Sequence, residues 1–253
     1  AWWRGPWHDR DGGYAVDIGH LATDGYRDQR RADRSTAQLR LTGALASGTL
    51  LALTGNALLL RAEDPQGLTF AQAQADPRAA SAGALAFDTR KRVRQQQLGL
   101  RLEHSFGEHD AMTLALHGGA RTTFQMLSVP IAAQAAPGSG GGVVDLDRGY
   151  GGLDLRWRHD ARLLDRSASL TLGVEAQRMS EHRRGYENFA DGQPGVVGAL
   201  RRDERDIATT RDVYAEARWN LLPEWDATLC VRHSRIGFDT HDALLTTHPA
   251  LLT

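Results

Sequence analysis

"RKRVRQQQLGLRLEHSF", residues 90–106, opens as a cationic, amide-rich run and closes as an alternation of leucines with polar residues. Leu98, Leu100 and Leu102 hold one parity, and Gln97, Arg101 and Glu103 hold the other. A period of two belongs to a strand with unlike faces, whereas a helix would repeat its apolar face every 3.6 residues. The leucines are expected to face lipid and the polar parity a wet interior. Arg90 to Gln96 would then continue the same strand above the apolar layer into water.

The same rule recurs along the chain. Leu39, Leu41 and Leu45 alternate with Gln38, Arg40 and Thr42; Leu51, Leu53 and Leu59 follow, with Gly55 and Ala57 between them. Further segments carry Met112, Leu114 and Leu116; Leu153, Leu155 and Trp157; Leu170, Leu172 and Val174; Val213, Ala215, Ala217 and Trp219; and Leu229 and Val231. The opposite parity holds Asp154, Arg156 and Arg158 in one segment and Tyr214, Glu216 and Arg218 in another. A face so charged must meet water, which a soluble sandwich and a membrane barrel both allow.

Spacing separates the two. LASG (45–48), GEHD (107–110), LLDR (163–166) and LLPE (221–224) are short and turn-like, while the links at about 62–89, 126–149 and 183–208 are long and rich in Gly, Pro, Arg and Asp. Short turns at one end and long loops at the other are the layout of a transmembrane barrel with periplasmic turns and extracellular loops. A sandwich has no reason for that asymmetry. Trp157, Trp219 and Trp225 lie near the short-turn ends, where amphipathic rings would sit at a membrane interface or simply pack. The expected fold is therefore all-β: an antiparallel transmembrane β-barrel, partial, with about ten strands.

Composition removes several other classes. Thirty Lys+Arg against 31 Asp+Glu give a formal net charge of -1, so bulk charge does not argue for a nucleic-acid partner. The one cysteine, Cys230, can form neither an intramolecular disulfide nor a CxxC site. The longest apolar stretch, 49–60, is broken by Thr54, Gly55 and Asn56 and falls short of the roughly 18 residues of a spanning helix. The N-terminus AWWRGPWHDR has no signal-peptide pattern, and both it and the tail HDALLTTHPALLT (241–253) lack the alternation. Truncation or a shifted reading frame would each account for these two ends.

Six stretches in this order, "DGYRD" (24–28), "FDTRKRVRQQQLGLRLEH" (87–104), "VDLDRGYGGLDLRW" (144–157), "HRRGYENF" (182–189), "LRRDERD" (200–206) and "VRHSRIGFDT" (231–240), resemble the barrel of TonB-dependent outer-membrane receptors. The ferric-citrate and siderophore branch is the most similar in phrasing. The resemblance implies a ligand-gated transporter of a ferric chelate in the cell outer membrane of a Gram-negative bacterium, with an N-terminal plug through which TonB supplies energy. Plugged barrels of this kind have about 22 strands. With no TonB box, plug motif or aromatic C-terminal strand read in it, residues 1–253 are expected to be one fragment from the middle of a receptor barrel, the plug and remaining strands lying outside it.

Iron chelates are commonly anionic, and a basic extracellular mouth would attract them by focusing its field. The long-loop ends supply Arg90, Arg92 and Arg94, then Arg121 and Gln125, then Arg183, Arg184 and Tyr186 as candidate ligand contacts. Guanidinium groups suit bidentate carboxylates, although Asp88, Asp203 and Glu204 are close enough in sequence to take some of these arginines as partners. No cofactor is expected. GSGGG (138–142) lacks the GK[ST] ending of a phosphate loop and reads as a flexible loop tip. HDRD (8–11) and HDA (241–243) read as solvated pairs, not metal ligands. His104-Ser105 and His233-Ser234 are adjacent, hence on opposite faces of a strand, so no catalytic couple and no enzyme is expected. The alternatives are a passive porin-like barrel and a small outer-membrane barrel enzyme.

Overall fold

A computed structural model describes residues 1–7 and 10–244. One ten-stranded antiparallel sheet dominates, with its strands in chain order. Its first half is β1 (Trp2–Trp7), β2 (Arg10–Thr23), β3 (Ala32–Ala46), β4 (Thr49–Glu63) and β5 (Arg90–Phe106). β6 (Asp110–Met126), β7 (Val143–Leu163) and β8 (Arg166–Tyr186) follow, and β11 (Leu200–Leu222) and β12 (Trp225–Asp242) complete it. A two-stranded ribbon of β9 (Phe189–Ala190) and β10 (Gln193–Pro194) lies in the loop before β11. Three short helices, α1 (Phe70–Ala75), α2 (Ala82–Ala86) and α3 (Ile131–Ala135), occupy two other loops.

The tight connections close at the expected places. In the β7–β8 hairpin both central residues, Leu164 (φ 52°) and Asp165 (φ 61°), adopt the left-handed conformation that matches the twist of paired strands. The long connections, 24–31, 64–89, 127–142 and 187–199, all fall at the opposite end.

Three boundaries differ from the sequence reading. WWRGPW, which none of the alternating segments included, pairs with β2 from Trp2↔Asp17 to Trp7↔Arg10, and among the described residues it has no other neighbour. That position tolerates Pro6, which has no N–H to give a second strand. The link expected at 183–208 shrinks to 187–199, because β8 runs on to Tyr186 and β11 begins at Leu200. The link expected at 126–149 shrinks to 127–142 in the same way. Above the apolar layer both faces of a strand are wet, so alternation disappears while the hydrogen-bonded ladder continues.

The apolar parity forms one continuous band. Register carries it from Val16 through Leu39, Leu41, Leu53 and Leu100 to Leu116 and Leu153, then from Leu155 to Val174 and Val213. Among the described residues no second sheet covers it: Leu98 is 73% exposed and Leu229 69%, and only five hydrophobic side chains are buried. Each exposed large apolar side chain forgoes roughly 1.5–3 kcal/mol in water, so this face requires an apolar solvent. Trp157 and Trp219 sit at the short-turn edge of the band, their indole N–H groups held by Asp110 Oδ1 (3.0 Å) and Leu163 O (3.2 Å).

The other face is a polar wall. Arg156 Nη2 donates to Asp154 Oδ1 at 2.8 Å, Tyr214 OH donates to Asp154 Oδ2 at 3.2 Å, and Arg232 bridges Asp212 and Glu175. Tyr214 lies across Gly173, where an added Cβ would come within 2.1 Å of the ring. Gly173→Ala is therefore expected to displace Tyr214 and cost about 1–3 kcal/mol. Urea unfolding in lipid should report that loss, and Tyr214→Leu in the same chain should recover most of it.

Packing in the ordinary sense occurs in the loop layer. Met126, Val143, Ala84, Thr89, Gln134 and Asn188 are nearly or fully buried there. Asn188 Nδ2 donates to Phe87 O (2.8 Å) and Leu127 O (3.0 Å), and its N–H donates to Gln134 Oε1 (2.6 Å), joining three loops. GSGGG, expected as a flexible tip, belongs to this seam. Gly142 N–H donates to Tyr186 O at 2.9 Å, and Gly141, at φ 82°, leaves no room for a Cβ against the same carbonyl.

Candidate functional site: the wall at the long-loop end

Strand parity decides which candidates face the interior. Between Arg90 and Phe106 the pairing of β5 with both neighbours has no register shift, so Arg90, Arg92 and Arg94 share the face of Leu98 and Leu100. Exposure alternates accordingly: Arg92, Arg94, Gln96 and Leu98 are exposed, while Val93 between them is buried. These three arginines stand at the height of the mouth but on its outer surface. Arg90 is paired with Asp88; burial, and then the charge of Arg92, push its guanidinium below the usual arginine pKa.

The interior parity holds a different set. Lys91 is opposite Gln125, Arg121 is opposite Arg148, and Arg183 is opposite Glu204 and Leu146. Arg148 is neutralised by Glu181, its Nε at 2.6 Å from Oε2, and Arg202 by Glu204 at 3.1 Å. Lys91, Arg121 and Arg183 have no ion pair among the described residues, so they are free to attract an anion. Lys91 is the only lysine in the chain, and the sequence reading passed over it. Counting parity back from Leu98 would have placed it inside.

Arg184 and Tyr186 have the outer parity of β8. Arg184 Nη2 contacts Asp145 Oδ2 at 2.8 Å, and Tyr186 takes part through its carbonyl in the seam with Gly142. Asp203, considered as a partner for an arginine, instead lies 2.6 Å from His182 Nε2. Thus the eight candidates divide: Arg121, Gln125 and Arg183 line the interior, Arg92 and Arg94 lie outside with no ion pair among the described residues, and Arg90, Arg184 and Tyr186 serve the rim itself.

His104 Nδ1 is 2.7 Å from Thr49 Oγ1, a cross-strand contact near a short turn. Of HDRD, residues 8 and 9 lie outside the described residues, as do 245–253 of the tail, whose first residues continue β12 to Asp242. Among the described residues no three His, Cys, Asp or Glu side chains cluster as a metal site would require.

Comparison with known proteins agrees with the wall-like architecture. The sequence matches the family described as TonB dependent receptor-like, beta-barrel, over residues 8–250. The fold is similar to the unliganded ferric citrate transporter FecA, with a TM-score of 0.80 and 14% identity over 96% of this chain and 35% of that one. It is also similar to the ferripyoverdine receptor of the outer membrane of Pseudomonas aeruginosa, bound to ferripyoverdine (TM-score 0.72, 14% identity, 94% of this chain, 36% of that one). BauA, the ferric preacinetobactin receptor of Acinetobacter baumannii, aligns at TM-score 0.72 and 8% identity over 90% of this chain and 37% of its own. The chain thus spans about a third of the length of these receptors.

Proposed function

Because the chain belongs to the TonB-dependent receptor β-barrel family, we propose that it forms part of the wall of an outer-membrane receptor that imports an anionic ferric chelate of the siderophore or citrate kind. TonB is the energy-supplying partner in this reading, acting through the receptor's plug, and the work done is transport, not catalysis. The observation that carries it is the set of unpaired cations, Lys91, Arg121 and Arg183, on the interior face above the apolar band. Arg121 directly opposes Arg148 on that face, but Glu181 neutralises Arg148, so Arg121 is the cation left without a counterion there. An incoming carboxylate or catecholate would supply that counterion. Gln125 beside Lys91 adds an amide donor. The similar proteins that bind ferric citrate, ferripyoverdine and ferric preacinetobactin support this ligand class.

The test is uptake of radioiron by iron-starved cells that carry the receptor as its gene encodes it, supplied with defined ferric chelates. A charge-assisted hydrogen bond is worth about 1.5–3 kcal/mol, so Arg121→Ala or Arg183→Ala is expected to raise the half-saturating chelate concentration roughly 10- to 100-fold. Unchanged uptake of every chelate in both variants would remove the ligand assignment. Uptake that persists without TonB would favour the passive-pore alternative.

A further inference from the structure

Two hollows adjoin on the outer surface of β3 to β6. The lower, of about 660 Å³, is floored by small residues of the outward parity, Ala37, Gly55, Ala57, Gly118 and Ala120, beside Gln96. Leu39 and Leu98 form its flanks, so it is an apolar channel set into the band that faces lipid. The upper, of about 490 Å³, lies next along the same strands and is lined by Leu59, Arg61, Arg92, Arg94, Thr122 and Phe124. Arg61 is directly opposite Arg92, and Arg94 is directly opposite Leu59 at the upper limit of the band.

Two cations placed opposite each other on neighbouring strands destabilise a sheet unless an anion lies between them. None of Arg61, Arg92 and Arg94 has an ion pair among the described residues. Two carboxylates share the hollow: Asp145 is taken by Arg184 at 2.8 Å, while Asp33 lies directly opposite Arg61 in register, which leaves three arginines against one uncommitted carboxylate. The site is therefore cationic at the depth of the headgroups and apolar immediately below. One kind of molecule satisfies both halves.

We propose that this double hollow holds one phosphate-bearing lipid, its headgroup between Arg61, Arg92 and Arg94 and an acyl chain along Ala57, Gly55 and Gly118. Guanidinium groups suit the bidentate recognition of phosphate, and a basic pocket at a membrane surface takes an anionic headgroup. The channel of small residues gives the chain a fixed course, which an annular lipid against a leucine-studded wall does not have. The site rests on the membrane-spanning fold and is independent of the ferric-chelate reading, since it lies on the opposite face of the wall.

The experiment is native mass spectrometry of the receptor as its gene encodes it, purified in mild detergent and titrated separately with dioleoyl phosphatidic acid, dioleoyl phosphatidylcholine and inorganic phosphate. One phosphatidic acid is expected to remain bound, at a half-saturating concentration at least tenfold below that of phosphatidylcholine. Arg92→Gln should reduce the difference severalfold, and R61Q/R92Q/R94Q should abolish it. Ala120→Phe, which fills the channel and leaves the arginines in place, should weaken the retention of phosphatidic acid, and of any phosphatidylcholine that enters the channel, without altering the arginine cluster. Equal retention of the two lipids, or retention unaffected by both the triple and the channel-filling variants, would overturn the proposal. So would competition by inorganic phosphate at the concentrations at which the lipid binds, since that describes a free-anion site.

Discussion

Asn188→Ala is expected to loosen the loop layer while leaving the membrane-spanning wall intact. Its amide is the shared donor to Phe87 O and Leu127 O in a fully buried position, so its loss strands two carbonyls at once. Each unsatisfied buried group costs about 1–3 kcal/mol, which puts the expected penalty near 2–4 kcal/mol. That penalty is local, because the spanning ladder contains none of these bonds. Hydrogen exchange should read it directly: at a tenfold change per about 1.4 kcal/mol, protection in 64–89, 127–142 and 187–199 should fall by roughly 30-fold to several hundredfold. Amides between Leu98 and Leu102 should be unaffected. Asn188→Asp sharpens the comparison, since it keeps the shape and removes the donor. If exchange in the three loops is unchanged in both variants, Asn188 does not tie them.

The second large effect is expected at Leu100, whose neighbours across the sheet are Leu53 and Leu116. Leu100→Arg places a guanidinium in the middle of the apolar band, at a cost of about 2–4 kcal/mol for a charge near the midplane. Thr113→Arg introduces the same side chain on the interior parity, between Glu103 on one neighbouring strand and Arg156 on the other, where water receives it. Its cost should stay well below that of Leu100→Arg, at the roughly 0.2–1 kcal/mol of an opposed like charge. Denaturant titrations of the two variants in the same lipid measure the difference, and equal costs would mean that the leucine face is not the lipid face.

How much of this was legible in the sequence depended on which solvent each face meets. Within the band, Leu98 to Leu102 met lipid on one side and water on the other, and the alternation named the strand, its register and its outward face. Above the band that contrast vanishes. Arg183 to Tyr186 and Leu200 to Arg202 remain in the ladder, yet their sequence carries no parity signal, and the loop was read too long. The misplacement of Arg92 and Arg94 has a different origin. Charge drew attention to them as ligand contacts, although counting by twos from Leu98 sets them outside and Lys91 inside. The node at Asn188 was not legible at all, because its partners, Phe87 and Leu127, are brought to it only by the assembled sheet.

The length of β11 has one more consequence. Its 23 residues, at about 3.3 Å each and a tilt near 40°, stand roughly 55 Å tall against an apolar band of about 25 Å. Allowing for the short turn below, the rim rises about 25 Å beyond the lipid, or some three screening lengths at physiological ionic strength. Arg183, opposite Glu204 and so four residues below the top of β11, stands roughly 10 Å lower, about two screening lengths above the lipid, where the potential of the bilayer is much weakened. The interior face at Arg183 is thus largely screened from the charge of the leaflet beneath it, and a change in the surface lipids is expected to leave its attraction for anions little altered.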